Sequence, residues 1–217
     1  MIKNNWLVLA IVLGSVGVAR AASDDGSVEE EQVYNHFSAF IGSGTTNKDW
    51  FDGSNASFFE IRFNKPLSSG WLMEVDYSAQ FFHPDNFTAR VDRVLISGGY
   101  HHDITSRLDV YALYGAGLLG YEQRDNKTDK KLDSQSGLLQ GARLGFNYLI
   151  NREMTLTLEG EFTRSDWVDE DNIKLAFNYQ WNDVFGTGIF YKYRDAGKDY
   201  INEGGISARV IYSRFTQ

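Results

Sequence analysis

The feature that most constrains this chain is an alternation of apolar and polar side chains that recurs along nearly its whole length. It is clearest between residues 154 and 181, where Leu156 and Leu158 alternate with Thr157 and Glu159. A period of two is the spacing of a β-strand, whose successive side chains point to opposite faces of the sheet. Because the polar face carries neighbouring charges, each such strand has one apolar and one charged face.

The same unit repeats, and the repeats predict ten antiparallel strands joined in sequence, with eight as the alternative count. The fifth predicted strand is apolar on both faces, so its facing is ambiguous, and the fourth is irregular enough to contain a β-bulge. Each link is too short for a crossover helix, so consecutive strands pair with each other. The predicted strands cover residues 34–43, 56–65, 71–81, 87–101, 108–121, 137–149, 154–164, 172–181, 184–194 and 204–215.

Composition supports strands and excludes several kinds of site. Aromatic residues make up 15% of the 217 residues and Gly is frequent, which suits β-structure better than disorder. The two prolines, Pro66 and Pro84, both fall between predicted strands, where a missing N–H does least harm. The absence of Cys excludes disulfides, thiolate metal sites and a cysteine nucleophile.

The N-terminus has the features of a secretory signal peptide. Lys3 precedes a short apolar run, and residues 19–21 form an A-x-A cleavage site. We therefore expect a signal peptide over residues 1–21, a flexible acidic periplasmic lead over residues 22–33 and one barrel domain over residues 34–217. The formal net charge of −8 argues against a nucleic-acid partner.

The charged faces distinguish a membrane barrel from a soluble one. A soluble barrel buries its apolar face, whereas an outer-membrane barrel turns that face to lipid and encloses a polar interior. Charges in a narrow lumen need partners of opposite sign, and the predicted inward face carries both signs. The predicted lumen charge network consists of Glu60, Arg62, Glu74, Asp76, Arg143, Glu159, Glu161, Lys174, Lys192 and Arg209.

Aromatic residues cluster where strands meet their links, as expected for girdles at the two bilayer interfaces. We call the end with short links the turn end and the other the loop end, and expect the turns to face the periplasm. The predicted membrane-interface aromatics are Trp71, Tyr100, Tyr148, Tyr179, Trp181 and Tyr212 at the turn end and Trp167 at the loop end, where Phe81, Phe82, Tyr121 and Tyr200 also fall. The predicted fold is all-β: a transmembrane antiparallel up-and-down β-barrel of about ten strands in the outer membrane.

This pattern resembles the small outer-membrane β-barrels of Gram-negative bacteria, the porin-like and OmpA-type families. The resemblance covers nearly the whole barrel domain and rests on pattern, not on a diagnostic motif. It implies outer-membrane lipid and lipopolysaccharide as surroundings, and a C-terminal strand read by the barrel-assembly machinery. Such strands end on an aromatic residue, whereas here Phe215 is followed by Thr216 and Gln217. The best-known OmpA-type barrels have eight strands, so a count of ten is a second departure.

Two enzymatic alternatives have weak support from the residues. A protease at the outer rim, as in the ten-stranded omptins, would use His83 with Asp85 and the acids of residues 166–171, but the required pairs are not matched. A lipid-A modifying enzyme needs an oriented serine and histidine on its outer wall, and His36 and Ser38 share the inward parity.

Two charged links are candidate ion sites. The acidic residues 166–171 offer carboxylates to Ca²⁺, but their spacing matches no EF-hand, which favours a hydrated loop. Arg124, Lys127, Lys130 and Lys131 are candidate contacts for lipopolysaccharide phosphates, and the interspersed acids favour simple solvation equally. We expect no metal, no cofactor and no catalytic residue.

The sequence thus predicts a non-enzymatic, monomeric outer-membrane barrel with a structural or surface-interaction role. Its lumen is expected to be largely plugged by the charge network, because about ten strands leave little open channel. One alternative is a narrow porin-like channel for small solutes or ions. A second is an outer-surface barrel enzyme, either a protease or a lipid-A modifying enzyme.

Overall fold

A computed structural model describes residues 33–47, 53–197 and 199–212 of the chain. The ten strands are β1 His36–Thr46, β2 Asn55–Pro66, β3 Trp71–Phe82, β4 Phe87–Asp103, β5 Leu108–Asp125, β6 Lys131–Leu149, β7 Met154–Ser165, β8 Asp169–Gln180, β9 Phe185–Ala196 and β10 Asp199–Ile211. No helix within these residues is long and apolar enough to cross a membrane. The predicted signal peptide, residues 22–32 of the predicted lead, and Phe215 lie outside the described residues.

The strands close into a barrel in which each pairs antiparallel with its neighbours in sequence. Closure is made by β1 and β10, where His36 lies opposite Ile211 and Thr46 opposite Ile201. Every strand therefore has two partners, which removes the exposed edges that an open sheet would carry. The prediction of an all-β, up-and-down barrel of ten strands is confirmed, and the alternative of eight is wrong.

The two ends of the barrel differ less in link length than the sequence suggests. The turn-end links each span four residues, whereas the predicted long polar link at residues 122–135 is mostly strand. There β5 continues to Asp125 and β6 begins at Lys131, so only residues 126–130 form the turn. The prediction was wrong because backbone pairing needs no apolar face, and a ladder that is polar on both faces lacks the alternating signal.

Two local predictions about β4 and β5 are now resolved. The predicted bulge in β4 is absent, since this strand pairs without interruption with both neighbours; the register shift lies instead at Gln123 and Arg124, where β5 meets β6. In β5 the ambiguous facing is settled, with Leu113 turned inward and Leu118 outward.

Exposure separates the two faces of the wall. Outward Leu138 is 70% exposed, whereas inward Arg143, five positions later on the same strand, is 2% exposed. Ile96, Ile173, Ile189 and Ile206 continue the exposed apolar surface around the barrel. The charged face of the alternating pattern therefore lines the lumen, and the apolar face forms the outer wall.

Candidate functional site: the charged lumen

Among the described residues, fourteen charged side chains of the inward face lie together in the lumen, and we call this set the charge belt. All ten residues of the predicted lumen network belong to it. Its acidic members are Glu60, Glu74, Asp76, Glu159, Glu161, Glu170 and Glu203, and its basic members are Arg62, Arg93, Arg143, Lys174, Lys192, Arg194 and Arg209. The equal numbers let the two signs neutralise each other, which buried charges require.

Arg143 on β6 is one centre of the charge belt. Its guanidinium makes ion pairs with Glu74 and Glu161, and lies 2.8 Å from Asp76 and 3.6 Å from Glu159. These carboxylates come from β3 and β7, so one side chain connects β6 with strands on both sides of the lumen. A planar guanidinium with five N–H donors can serve several carboxylates at once.

Glu159 on β7 is the second centre. It accepts hydrogen bonds from Arg62 at 2.8 Å and from the Tyr111 hydroxyl at 2.5 Å, and forms an ion pair with Lys174 at 2.8 Å. The Lys174 ammonium also lies 4.8 Å from the centre of the Phe40 ring, within the range of a cation–π contact. Glu159 thereby joins β2, β5 and β8 across the lumen.

Four members of the charge belt were not in the predicted network. Arg93 donates to Glu161 at 2.5 Å, and Arg194 lies 2.6 Å from Glu170 and 3.6 Å from Glu203. The sequence contains a signal for Arg93, because this residue stands at an even spacing from the inward-facing residues of β4. Glu170 and Glu203 fall in predicted loops, whereas in the structure their strands begin earlier, at Asp169 and Asp199.

The loop end of the lumen is closed by apolar side chains. Phe82 and Ile201 are fully buried with Ala56 and Ala89, and Tyr121 packs against this cluster. A second cluster of Leu95, Leu119 and Leu139 packs against Trp167 and Val168.

Three aromatic residues expected at the outer interface therefore lie elsewhere. Phe82 and Tyr121 face the lumen. Trp167, predicted as a membrane-interface residue, packs over the loop-end mouth, with its ring 6.1 Å from that of Tyr121. The prediction was wrong because it used position along the chain, whereas facing is set by parity and by how the link between β7 and β8 folds inward.

The turn end of the lumen is closed by the residues that precede β1. Tyr34 is buried, donates a hydrogen bond from its hydroxyl to Asp109 and accepts one from the Asn147 amide at 3.1 Å. Val33, the last residue of the predicted flexible lead, is also buried, in one cluster with Tyr34 and Leu72. The structure therefore places the last residue of the predicted lead in the turn-end mouth of the barrel.

Two small cavities lie among the described residues of the lumen, one toward each end. The turn-end cavity has a volume of about 50 Å³ and is lined partly by Glu74, Glu159 and Arg209; the loop-end cavity, of about 20 Å³, is lined partly by Arg93 and Arg194. A water molecule needs roughly 10–15 Å³, so the cavities have room for a few waters.

The charge belt separates these two cavities. Arg143, Asp76 and Glu161 line neither of them. Arg143 contacts Glu159 of the turn-end cavity, and Glu161 contacts Arg93 of the loop-end cavity. Among the described residues, a layer of paired charges therefore lies between these two cavities.

The outer wall of the barrel carries aromatic residues at the turn end. At the turn end, the predicted interface aromatics Trp71, Tyr100, Tyr148, Tyr179, Trp181 and Tyr212 are exposed or half-buried on the outward face. Tyr179 packs edge-on against Trp181 at 4.7 Å, and Trp71 against Tyr100 at 5.9 Å. An apolar wall around a charged, paired interior is the reverse of a soluble barrel. The fold is a closed, ten-stranded antiparallel barrel with an apolar outer wall.

Solved structures that are similar to this fold include the following three. The translocator domain of autotransporter NalP from Neisseria meningitidis matches with a TM-score of 0.47 and 9% identity, over 85% of this chain and 92% of that one. Ail, the attachment invasion locus protein of Yersinia pestis, matches with a TM-score of 0.42 and 12% identity, over 82% and 99%. The NanC porin matches with a TM-score of 0.41 and 16% identity, over 79% and 98%. No protein-family profile and no curated protein matches the sequence.

The residues of the two candidate enzymatic sites lie in different parts of the barrel. His83 contacts the Ser57 hydroxyl at 3.2 Å on the exposed loop-end surface, and among the described residues no carboxylate contacts its ring. His36 and Ser38 are buried on the lumen side, away from the outer wall. The structure therefore brings one serine and one histidine together, at a place the sequence did not indicate, because β2 and β3 pair there.

In the two candidate ion sites at the loop end, several of the charged side chains contact other protein groups or point in different directions. Asp171 pairs with Arg164 at 2.6 Å outside the barrel, whereas Glu170 turns into the lumen. Arg124 and Lys131 both pair with Glu122, at 2.6 Å and 3.6 Å. Lys127 and Lys130, in the turn between β5 and β6, are the basic groups left for an external anion among the four that the sequence suggested.

Proposed function

We propose that the protein is a closed, non-enzymatic β-barrel of the bacterial outer membrane that acts through its loop-end surface and not through its lumen. The observation that carries this proposal is the charge belt, whose Arg143, Asp76 and Glu161 fill the section between the two cavities. Moving an ion through this layer would require breaking buried ion pairs, each of which costs several kcal/mol when a partner is left alone.

The outer-membrane setting is supported by the surface. A band of exposed Leu, Ile and Phe side chains surrounds the barrel and ends at the turn end in Trp and Tyr, the residues favoured where acyl chains meet headgroups. Near the loop end, the outward pair Arg90 and Asp92, 2.7 Å apart, marks the other limit of the band. We propose outer-membrane lipid and lipopolysaccharide as the surroundings, with Lys127 and Lys130 placed to contact lipopolysaccharide phosphates.

A surface role is supported by the hairpin of β5 and β6. Lys131 and residues 133–138 of β6 pair with β5 but not with β7, so this hairpin extends past the rim of the neighbouring wall. A projecting, paired hairpin offers a rigid polar surface to another molecule, and surface loops on a rigid scaffold are where binding is usually found. Assembly through the C-terminal strand, a monomeric state and the absence of a nucleic-acid partner stay predictions.

The test is electrical conductance in planar lipid bilayers. We expect the reconstituted protein to give no steady single-channel steps, under conditions in which an open porin gives them. Lys192→Gln and Lys131→Gln provide matched variants, since Lys192 lies in the charge belt and Lys131 is exposed beyond the barrel.

The porin-like alternative predicts a different result. Steady steps in the wild type, with a conductance or ion selectivity altered by Lys192→Gln but not by Lys131→Gln, would show that ions pass through the lumen. That outcome would overturn the proposal of a closed barrel.

A further inference from the structure

Two carboxylates face each other across neighbouring strands at the turn end of the barrel. Asp103, the last residue of β4, is directly opposite Asp109 on β5 in the strand register. Like charges in directly opposed positions destabilise a strand pair. His101 lies two residues before Asp103 and therefore points to the same face, so that three possible metal ligands come from two adjacent strands.

The three side chains converge. One ligand atom from each of His101, Asp103 and Asp109 lies within 4.8 Å of the others. The His101 Nδ1 atom is 3.0 Å from a carboxylate oxygen of Asp109. His101 and Asp109 are buried, whereas Asp103 is exposed, so the group has a buried side and a side open to solvent.

The two carboxylates are not neutralised in the way the charge belt is. Among the described residues, no lysine or arginine forms an ion pair with Asp103 or Asp109, whereas the His101 imidazole lies 3.0 Å from Asp109. A buried carboxylate without a cationic partner is costly, and a second carboxylate opposite increases that cost. Bringing one cation of charge two between them would remove both penalties.

The surroundings hold the ligands in place. The Tyr34 hydroxyl donates to Asp109, its ring packs at 4.7 Å from the His101 ring, and the Asn147 amide donates to the same hydroxyl at 3.1 Å. Hydrogen bonds of this kind to a ligating carboxylate are typical of the outer shell of metal sites, where they orient the ligands.

We propose that His101, Asp103 and Asp109 form a binding site for a divalent transition-metal ion of the Zn²⁺ class at the turn end of the barrel. One imidazole nitrogen and two carboxylate oxygens suit Zn²⁺, with solvent on the Asp103 side completing the coordination. An imidazole ligand disfavours Ca²⁺ and Mg²⁺, which take oxygen ligands. Because Tyr34 is bonded to Asp109, the bound ion also fastens the residues before β1 into the turn-end mouth.

The chain offers a matched control. His83 and Asp85 have the same His-x-Asp spacing as His101 and Asp103, but lie in the loop-end link between β3 and β4, outside any cluster of three such ligands among the described residues. Asp103→Asn is the primary test variant, since the exposed side chain tolerates the change without loss of packing. Asp85→Asn is its control.

The experiment is a titration of the tag-free full chain, folded in detergent, with ZnCl₂, followed by calorimetry and by the thermal unfolding temperature. We expect one saturable equivalent of Zn²⁺ and a raised unfolding temperature in the wild type and in Asp85→Asn. Asp103→Asn should bind at least ten-fold more weakly, and CaCl₂ at the same concentration should give no shift. Co²⁺ in place of Zn²⁺ should give visible absorption bands that Asp103→Asn alters.

Several results would overturn the proposal. Absence of saturable binding would do so, as would equal affinity in the wild type and Asp103→Asn. Equal weakening by Asp85→Asn and Asp103→Asn would mean that Zn²⁺ binds adventitiously to surface acids. Asp109→Asn serves as a second variant, whose folding is checked by the same unfolding curve without metal, and unchanged Zn²⁺ affinity in a folded Asp109→Asn would also exclude the site.

Discussion

At the scale of single residues, a comparison of Arg143 with Arg124 shows that burial decides how much an ion pair contributes to stability. It is almost fully buried and serves four carboxylates, of which Asp76 and Glu161 depend on it and on Arg93 for neutralisation. Arg124 at the hairpin end of β5 makes ion pairs with Glu122 and Asp129, but its side chain is half exposed. Water and salt can replace the partners of Arg124, whereas nothing can replace those of Arg143.

This difference predicts the effect of removing each guanidinium. Arg143→Met leaves several buried acids without their main partner and should lower the free energy of unfolding by about 3–5 kcal/mol. Arg124→Met removes an exposed pair and should cost about 0–1 kcal/mol. Urea unfolding of both refolded variants measures the difference, and equal losses would mean that the charge belt is hydrated and not buried.

At the scale of elements, β5 and β6 pack closely where a large aromatic side chain on β5 lies over a glycine on β6. Tyr111 on β5 lies opposite Gly145 on β6 in the register, and its ring occupies the space that a side chain at Gly145 would need. A Cβ atom at residue 145 would overlap the Tyr111 ring. The absence of a side chain on β6 therefore lets the Tyr111 hydroxyl reach Glu159.

A single methyl group tests this arrangement. Gly145→Ala should destabilise the barrel by about 1–3 kcal/mol, because an overpacked site forces neighbouring side chains to move. Gly160→Ala is the control, since its added Cβ would meet no atom closer than 3.8 Å. Thermal or urea unfolding compares the two, and a neutral Gly145→Ala would show that Tyr111 moves at no cost.

At the scale of the whole molecule, the barrel matches two environments at once, a charged interior and an apolar exterior. Leu158 on β7 lies on the outer wall with Leu175 and Phe146 as its cross-strand partners. Leu132 on β6 is similarly exposed, but lies near the tip of the projecting hairpin, beyond the strand residues that β7 pairs with. The two leucines have similar exposure in the isolated protein and differ in their expected contact with lipid.

A charge at each position tests the facing of the barrel in a bilayer. Leu158→Arg should make folding into lipid vesicles less favourable by about 2–4 kcal/mol, which is the cost of an arginine on the lipid face near the midplane. Leu132→Arg should cost about 0–1 kcal/mol, as expected outside the hydrocarbon region. The measurement is urea-dependent folding into vesicles, and a harmless Leu158→Arg would argue against a lipid-facing outer wall.

The sequence alone determined the barrel and the facing of most residues, and it favoured ten strands with eight as the alternative. These follow from a period of two, which is a local property and can be read within a single strand. The same reasoning correctly placed Arg143 and Glu159 on the inward face. It failed for Glu170 and Glu203 because the strands continue past the point where their outer face stops being apolar.

Only the tertiary structure decided which charges meet and how the ends of the lumen are closed. Arg62 and Glu159 are 97 residues apart in sequence and bond only because the closed barrel brings β2 and β7 together across the lumen. Trp167 packs against a cluster that includes Leu95 on β4, and Tyr34 bonds to Asp109 on β5, so each of them closes a mouth by contacting residues that are distant in sequence. The alternation of apolar and polar residues predicts which side of the wall a residue faces. The curvature and closure of the sheet decide which residues it contacts there.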